Sequence, residues 1–231
     1  MPTDVVQAAR LLEFGDSMLP IGGFSFSNAL EPAVQEGVVC DVETLRSFVR
    51  TVTQRAATSD GIALLEAHRA ATGAFDVDRM IRADHEVVNR KLNEEMRSQT
   101  VRMGKKLVEV GVTLLASPLP KHWLELIRLA ETPGTYPVGL GIISAEVGLS
   151  EQGSFAIHQY GMAMSTLSAA LRLMKVDHLD TQTILFDLSA DFDCQYEQIS
   201  TASLMDMTTF SPMTDILSAR HVHSHVRLFM N

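Results

Sequence analysis

The stretch Asp41-Val42-Glu43-Thr44-Leu45-Arg46-Ser47-Phe48-Val49-Arg50-Thr51-Val52 sets the period of the whole chain. Val42, Leu45, Phe48, Val49 and Val52 return every three or four positions, which is one stripe of a 3.6-residue helix. Asp41 stands where a side-chain oxygen can cap the first free amides. The period continues outward on both sides. Towards the N-terminus, Leu11, Leu12 and Phe14 lie on a helix that Pro20 ends. Towards the C-terminus, Ser59-Asp60 predicts a new helix start, with Ile62, Leu65 and Ala70 leading to a stop at Gly73. Asp76 to about Met103 reads as one long, charge-rich helix, and Lys105 to Ala116 as another. Pro118-Leu119-Pro120 then reads as a break, because proline donates no amide.

His122–Ala130 predicts a short helix before the irregular loop Thr132-Pro133-Gly134-Thr135-Tyr136-Pro137. Val138 to Leu149 is apolar with three glycines and reads as a buried helix. Ser150 or Glu151 opens a longer one reaching about Lys175. Asp180 opens the next, with Ile184, Leu188 and Phe192 spaced by four. Thr208–Pro212 reads as a loop, Met213–Ala219 as a short helix and Arg220–Asn231 as a tail. No run sustains the period-two alternation that would flank a hairpin turn. The expectation is an all-α, single-domain bundle of about eight to ten helices over residues 1–219, with a partner-docking tail at 220–231.

A chain of 231 residues is long enough to bury about 70% of its unfolded surface, so a core needs no disulfides or structural metal. The net charge of −9 and pI near 5.3 speak against nucleic-acid or anionic-membrane partners. Cys40 and Cys194 are too few for a disulfide framework, and the N-terminus lacks the pattern of a signal peptide, so a reducing cytoplasm is expected. The uncharged stretch Gln152–Leu171 carries too many polar side chains for a spanning helix. Its Gly161, Ser165 and Ala169, four apart, allow close approach of another helix, as an intramolecular crossing or a dimer seam. Net charge along the chain runs −4 over 1–60, +2 over 61–130 and −7 over 131–231, which fits either solvated faces or docking through complementary patches.

Catalytic signatures are missing. The chain has no phosphate-binding loop with its lysine, no H-E-x-x-H, no G-x-S-x-G and no di-iron E-x-x-H. Asp191 and Asp193 flank Cys194 and oppose a thiolate there. Asp187 and Asp191 share a helix face and, with Glu197 and His158, are the carboxylates and base that a helical enzyme would have to use. His221, His223 and His225 alternate near the C-terminus and have the imidazole chemistry for transient nickel, so a direct nickel carrier is a further alternative. No tightly bound cofactor is expected.

Two segments stand apart. Leu19-Pro20-Ile21-Gly22-Gly23-Phe24-Ser25-Phe26-Ser27-Asn28 is a glycine-jointed turn; without a lysine it reads as a tight interhelical turn fastened by Phe24 and Phe26 rather than a phosphate cradle. The segment from Ser211 to Met230 ends in Leu228-Phe229-Met230, unusually apolar for free solvent. The first resembles the L-P-[IV]-G-G-[FY]-S signature of UreF-type urease accessory proteins. The second, with Pro212, Ile216, Ser218-Ala219-Arg220-His221 and then Arg227-Leu228-Phe229, resembles that family's closing motif. Phe26 and Pro32 depart from the usual pattern.

The resemblance implies an all-α, non-enzymatic, homodimeric scaffold. It would bind a UreD/UreH-type accessory protein and then the GTPase UreG, and act on apo-urease to support nickel insertion. Carried over by position, it points to Pro20, Gly22, Gly23, Phe24 and Ser25, and to Arg220, His221, Arg227, Leu228 and Phe229, as partner-binding residues. Arg90, Arg97, Arg102 and Arg220 are the arginines available if the scaffold were to supply a charge to the GTPase.

Overall fold

The computed structural model describes residues 5–73, 75–209, 211–221 and 227–230. Among these residues all regular structure is helical and there is no strand. Twelve α-helical segments follow one another: α1 (Val5–Gly15), α2 (Leu30–Gln35), α3 (Val42–Ala56), α4 (Ile62–Ala71), α5 (Val77–Asn89), α6 (Glu94–Leu114), α7 (Pro118–Arg128), α8 (Tyr136–Glu146), α9 (Glu151–Leu173), α10 (His178–Ser189), α11 (Phe192–Ile199) and α12 (Pro212–His221). The all-α expectation holds, and the count exceeds eight to ten for local reasons. The long helix expected from Asp76 breaks after Asn89: Asn93 caps α6 by accepting from Glu95 N at 2.7 Å, and Arg97 donates to Lys91 O at 2.8 Å. The Asp180 helix starts earlier, with Asp177 in a capping box, and a turn at Ala190-Asp191 separates α10 from α11. α2 has only six residues, too few to show a period.

One break expected from sequence is a continuity instead. Ser59-Asp60 does not start a helix, because a π-turn over Ala57–Gly61 carries α3 straight into α4. The helix before Pro118 ends as expected, at Leu114, but Pro118 itself opens α7, ahead of the expected start at His122, and at the first helical position its missing amide costs nothing. Asp41 caps α3 as expected, accepting from Thr44 N at 2.8 Å.

The centre of the bundle is α8, buried from Tyr136 to Ser144, with α4 and α6 packed along it. Its glycines are what let those helices approach. A methyl on Gly141 would sit 2.5 Å from Leu64 O, so the α4–α8 crossing has no room for one. Entry into α8 is fixed by Asp84 of α5, which is fully buried. It accepts from Thr132 Oγ1 at 2.6 Å, Gly134 N at 2.5 Å, and Thr135 N and Oγ1 at 2.8 and 2.5 Å. Leu140, Ile142 and Ile143, all sealed from solvent, each contribute roughly 2 kcal/mol by burial.

The apolar interior forms two clusters. The first gathers around α4, α6 and α8 with Trp123 and Phe155; the second joins α2, α3, α9 and α10 with Leu217 and Phe229. α9 runs through both, giving Phe155 and Ile157 to the first and Ala163, Leu167 and Ala169 to the second. The second cluster is where the two ends of the chain meet.

Candidate functional site

The turn after α1 is built for a sharp change of direction. Gly22 sits at φ 81°, a region open to glycine at little cost, and a single 3-10 turn follows over Gly23–Ser25. Asn28 and Ala29 then take φ 54° and 66°, left-handed values that cost non-glycine residues energy unless other contacts enforce them. Those contacts come from Asn28, whose amide donates to Ser165 Oγ at 2.7 Å and Thr166 Oγ1 at 3.0 Å on α9 and accepts from Gln99 at 3.2 Å. The small-residue face of α9 is thereby used within the chain, against this turn. Phe26 is buried and fastens the turn, whereas Phe24 is 69% exposed.

From this turn α2 starts, and its Glu31, only 1% exposed, is the hub of the site. Glu31 Oε1 accepts from Leu228 N at 2.8 Å, and Oε2 accepts from Phe229 N at 3.0 Å. Oε2 also lies 3.1 Å from His221 Nε2. The other ring nitrogen, Nδ1, faces Glu95 Oε2 at 3.3 Å, and Glu95 Oε1 takes Arg227. A carboxylate removed from water needs such partners, and hydrogen bonds to a charged acceptor are the stronger kind.

Residues 227–230 thus form a strap across the N-terminal turn. Met230 N donates to Ser25 O at 2.9 Å. Arg172 of α9 stacks its guanidinium 4.2 Å from the Phe229 ring centroid and donates to Phe24 O at 3.0 Å, so one cation holds both ends of the chain. The structure therefore brings together the two motifs that stand about 190 residues apart in sequence. It separates their residues by exposure. Phe229 and His221 are buried within the chain, at 4% and 0%, while Phe24, Leu228, Arg220 and Arg227 face solvent with Pro20. Arg220 pairs with Glu36 at 2.8 Å. Met18, at 83% exposure, and Leu228, at 67%, are further exposed apolar side chains of the turn and the strap. Glu31 and Glu95, which organise the strap, are not among the partner-binding residues expected from sequence. The sequence signal that Glu31 leaves is an acid among apolar residues at the start of a short helix.

The other candidates disperse. His223 and His225 lie outside the described residues, and His221 has a carboxylate against each ring nitrogen. Among the described residues no group of three or more His, Cys, Asp or Glu side chains is placed to hold a metal ion. Asp187 and Asp191 pair with Arg46 and Arg50 of α3, Glu197 is exposed on α11, and His158 is sealed in the interior. These four do not share a pocket. Arg90 donates to Leu204 O and Met207 O, and Arg97 to Lys91 O, so both secure the fold; Arg102 and Arg220 are exposed near the strap. No helix among the described residues is long and apolar enough to cross a membrane.

Beneath the N-terminal turn lies a cavity of about 160 Å³ whose lining includes Ile21, Met103, Met162, Asp60 and Lys91. Burial pushes the Asp60 carboxyl up, but Lys91 at 2.9 Å, with His158 and Arg55, holds it below the usual range. Burial pushes His158 down to about 4; Asp60 opposes this and Lys91 adds to it.

A sequence model of the UreF family matches residues 39–189, the bundle between the two end motifs. Urease accessory protein UreF 2 of Brucella canis is 53% identical over 222 residues, covering 96% of this chain and 91% of that protein. Urease accessory protein UreF 1 of Brucella melitensis is 52% identical, with 96% and 92% covered. Urease accessory protein UreF of Yersinia enterocolitica is 48% identical, with 96% and 97% covered. With identity of this order over 96% of its length and a family model matching the bundle, the chain belongs to the UreF family of urease accessory proteins.

Proposed function

We propose that this chain is a non-enzymatic, cytoplasmic scaffold of urease maturation whose binding face is the joined surface of the N-terminal turn and the C-terminal strap. The partner that reads this face is a UreD/UreH-type accessory protein. Through that complex the scaffold engages the GTPase UreG and apo-urease and supports nickel insertion, with nickel as the cargo of the assembly. A homodimer is its working form.

The observation that carries this reading is the exposure of Phe24, Met18 and Leu228 around a turn and strap that the chain's own buried groups hold rigid. Apolar side chains on a preordered surface lose little freedom on binding, which favours a protein partner. Asp187, Asp191, Glu197 and His158, the groups that a free-standing enzyme would have to use, are not gathered in one place.

The test is co-purification with the UreD/UreH-type protein of the same organism, using the full chain and a chain ending at Ala219. The full chain is expected to hold the partner through size exclusion, and the truncated chain to lose it while keeping its helical circular dichroism. Equal retention of the partner by both chains would remove the strap from the interface.

A further inference from the structure

We propose that Glu31 is the positioning residue of this face: its carboxylate closes the 227–230 strap over the N-terminal turn, so that a partner meets both chain ends as one preformed surface. The role deepens the partner-binding reading above and rests on it.

Two consecutive amides, Leu228 N and Phe229 N, converge on the two oxygens of one carboxylate at 2.8 and 3.0 Å. Successive N–H groups aimed at one anion are a backbone grip, and the geometry requires both oxygens to be acceptors. The same carboxylate meets His221 at the end of α12, so it ties the strap and the preceding helix to α2 together. With Glu31 satisfied, Phe229 turns inward onto the second cluster and Leu228 outward, at the bend that these two residues form. Met230 N then reaches Ser25 O, and Arg172 spans Phe229 and Phe24.

Glutamine at this position has nearly the same volume but only one acceptor oxygen, and its amide N–H groups would face the N–H donors of the strap. The strap would open, and a partner would have to order it on binding, at the cost of affinity.

The experiment is amide hydrogen exchange on the full chain, with partner affinity measured in parallel. In the unaltered protein Leu228 and Phe229 are expected to exchange slowly without any partner. In Glu31→Gln they are expected to exchange about 100-fold faster while α8 amides keep their protection, with affinity for the UreD/UreH-type protein falling about 10-fold or more. Glu31→Asp keeps the charge and withdraws the oxygens by one methylene. It serves if the glutamine variant fails to fold, and is expected to speed exchange about 10-fold at the same two amides. Unchanged protection in the variant that folds overturns the proposal, and so does faster exchange with unchanged affinity. Failure of the partner-binding reading itself would look different: the chain ending at Ala219 would bind as tightly as the full chain, whatever Glu31 does to exchange.

Discussion

At Asp84 one buried carboxylate takes four hydrogen bonds from the three residues Thr132, Gly134 and Thr135, and so decides how the chain enters α8. Removing it strands two backbone amides in a place water cannot reach. Asp84→Ala is therefore expected to cost about 3–5 kcal/mol in urea unfolding, against about 0.5 kcal/mol for the exposed Asp78→Ala. Equal costs would mean that the 132–135 loop is held by something else. Single residues of this kind are the least legible from sequence. Asp84 looks like an ordinary surface acid of an amphipathic helix and Glu31 like an acid opening a short one, and what marks them is the loop or strap that folds back on them from 48 and 197 residues away. The converse misreading is Phe24 and Phe229. Similar apolar letters at the two ends of the chain occupy opposite environments, one 69% exposed and one 4%, because Phe229 has a cluster to fill.

At the scale of elements, helix contacts depend on where a side chain is missing. A methyl group on Gly104 of α6 would overlap the carbonyl of Gly134 and the backbone of Thr135, neither of which can turn aside as a side-chain end can. Gly104→Ala is expected to push α6 off the start of α8 and cost about 3 kcal/mol, although alanine is the better helix former by about 1 kcal/mol. Gly23→Ala, whose added methyl would meet only the flexible tip of Met103 at 3.5 Å, is the control and should cost far less. A thermal melt in which the two variants behave alike would show that the α6–α8 contact yields. Periodicity made most helices legible, since the stripe from Val42 to Val52 and the apolar run of α8 are local signals. It could not distinguish a proline that begins a helix from one that ends it at Pro118, nor see a π-turn continue through Ser59-Asp60. Both depend on where neighbouring backbone groups find partners.

At the scale of the whole molecule, the two apolar clusters are joined along α9, and His158 lies on that helix between its contributions to each. The ring is sealed from solvent, stacks on Tyr136 of α8 at 6.0 Å between centroids, and has no hydrogen-bond partner on either nitrogen among the described residues. Its proton affinity therefore bears on the seam that holds the bundle together. In the folded chain His158 titrates at about 4, and in the unfolded chain near the ordinary 6.5. Between those values the unfolded state binds a proton that the folded state refuses, so acidification favours unfolding. The contribution is fully present above about pH 6.5 and is lost as pH falls towards 4, a change of about 2 kcal/mol between about pH 7 and pH 5. Asp60 acts elsewhere on the scale: its lowered carboxyl stabilises the fold above the unfolded value of 3.8 and ceases to do so only as pH falls below it. His158→Leu removes the titration together with two unpartnered polar atoms. It is expected to be no less stable than the unaltered chain at about pH 7, and to lose about 2 kcal/mol less on going to about pH 5. Urea midpoints of the two proteins measured across that range decide it. Parallel curves would show that the seam accepts the proton without strain, and that the acid sensitivity of the bundle resides in some other group.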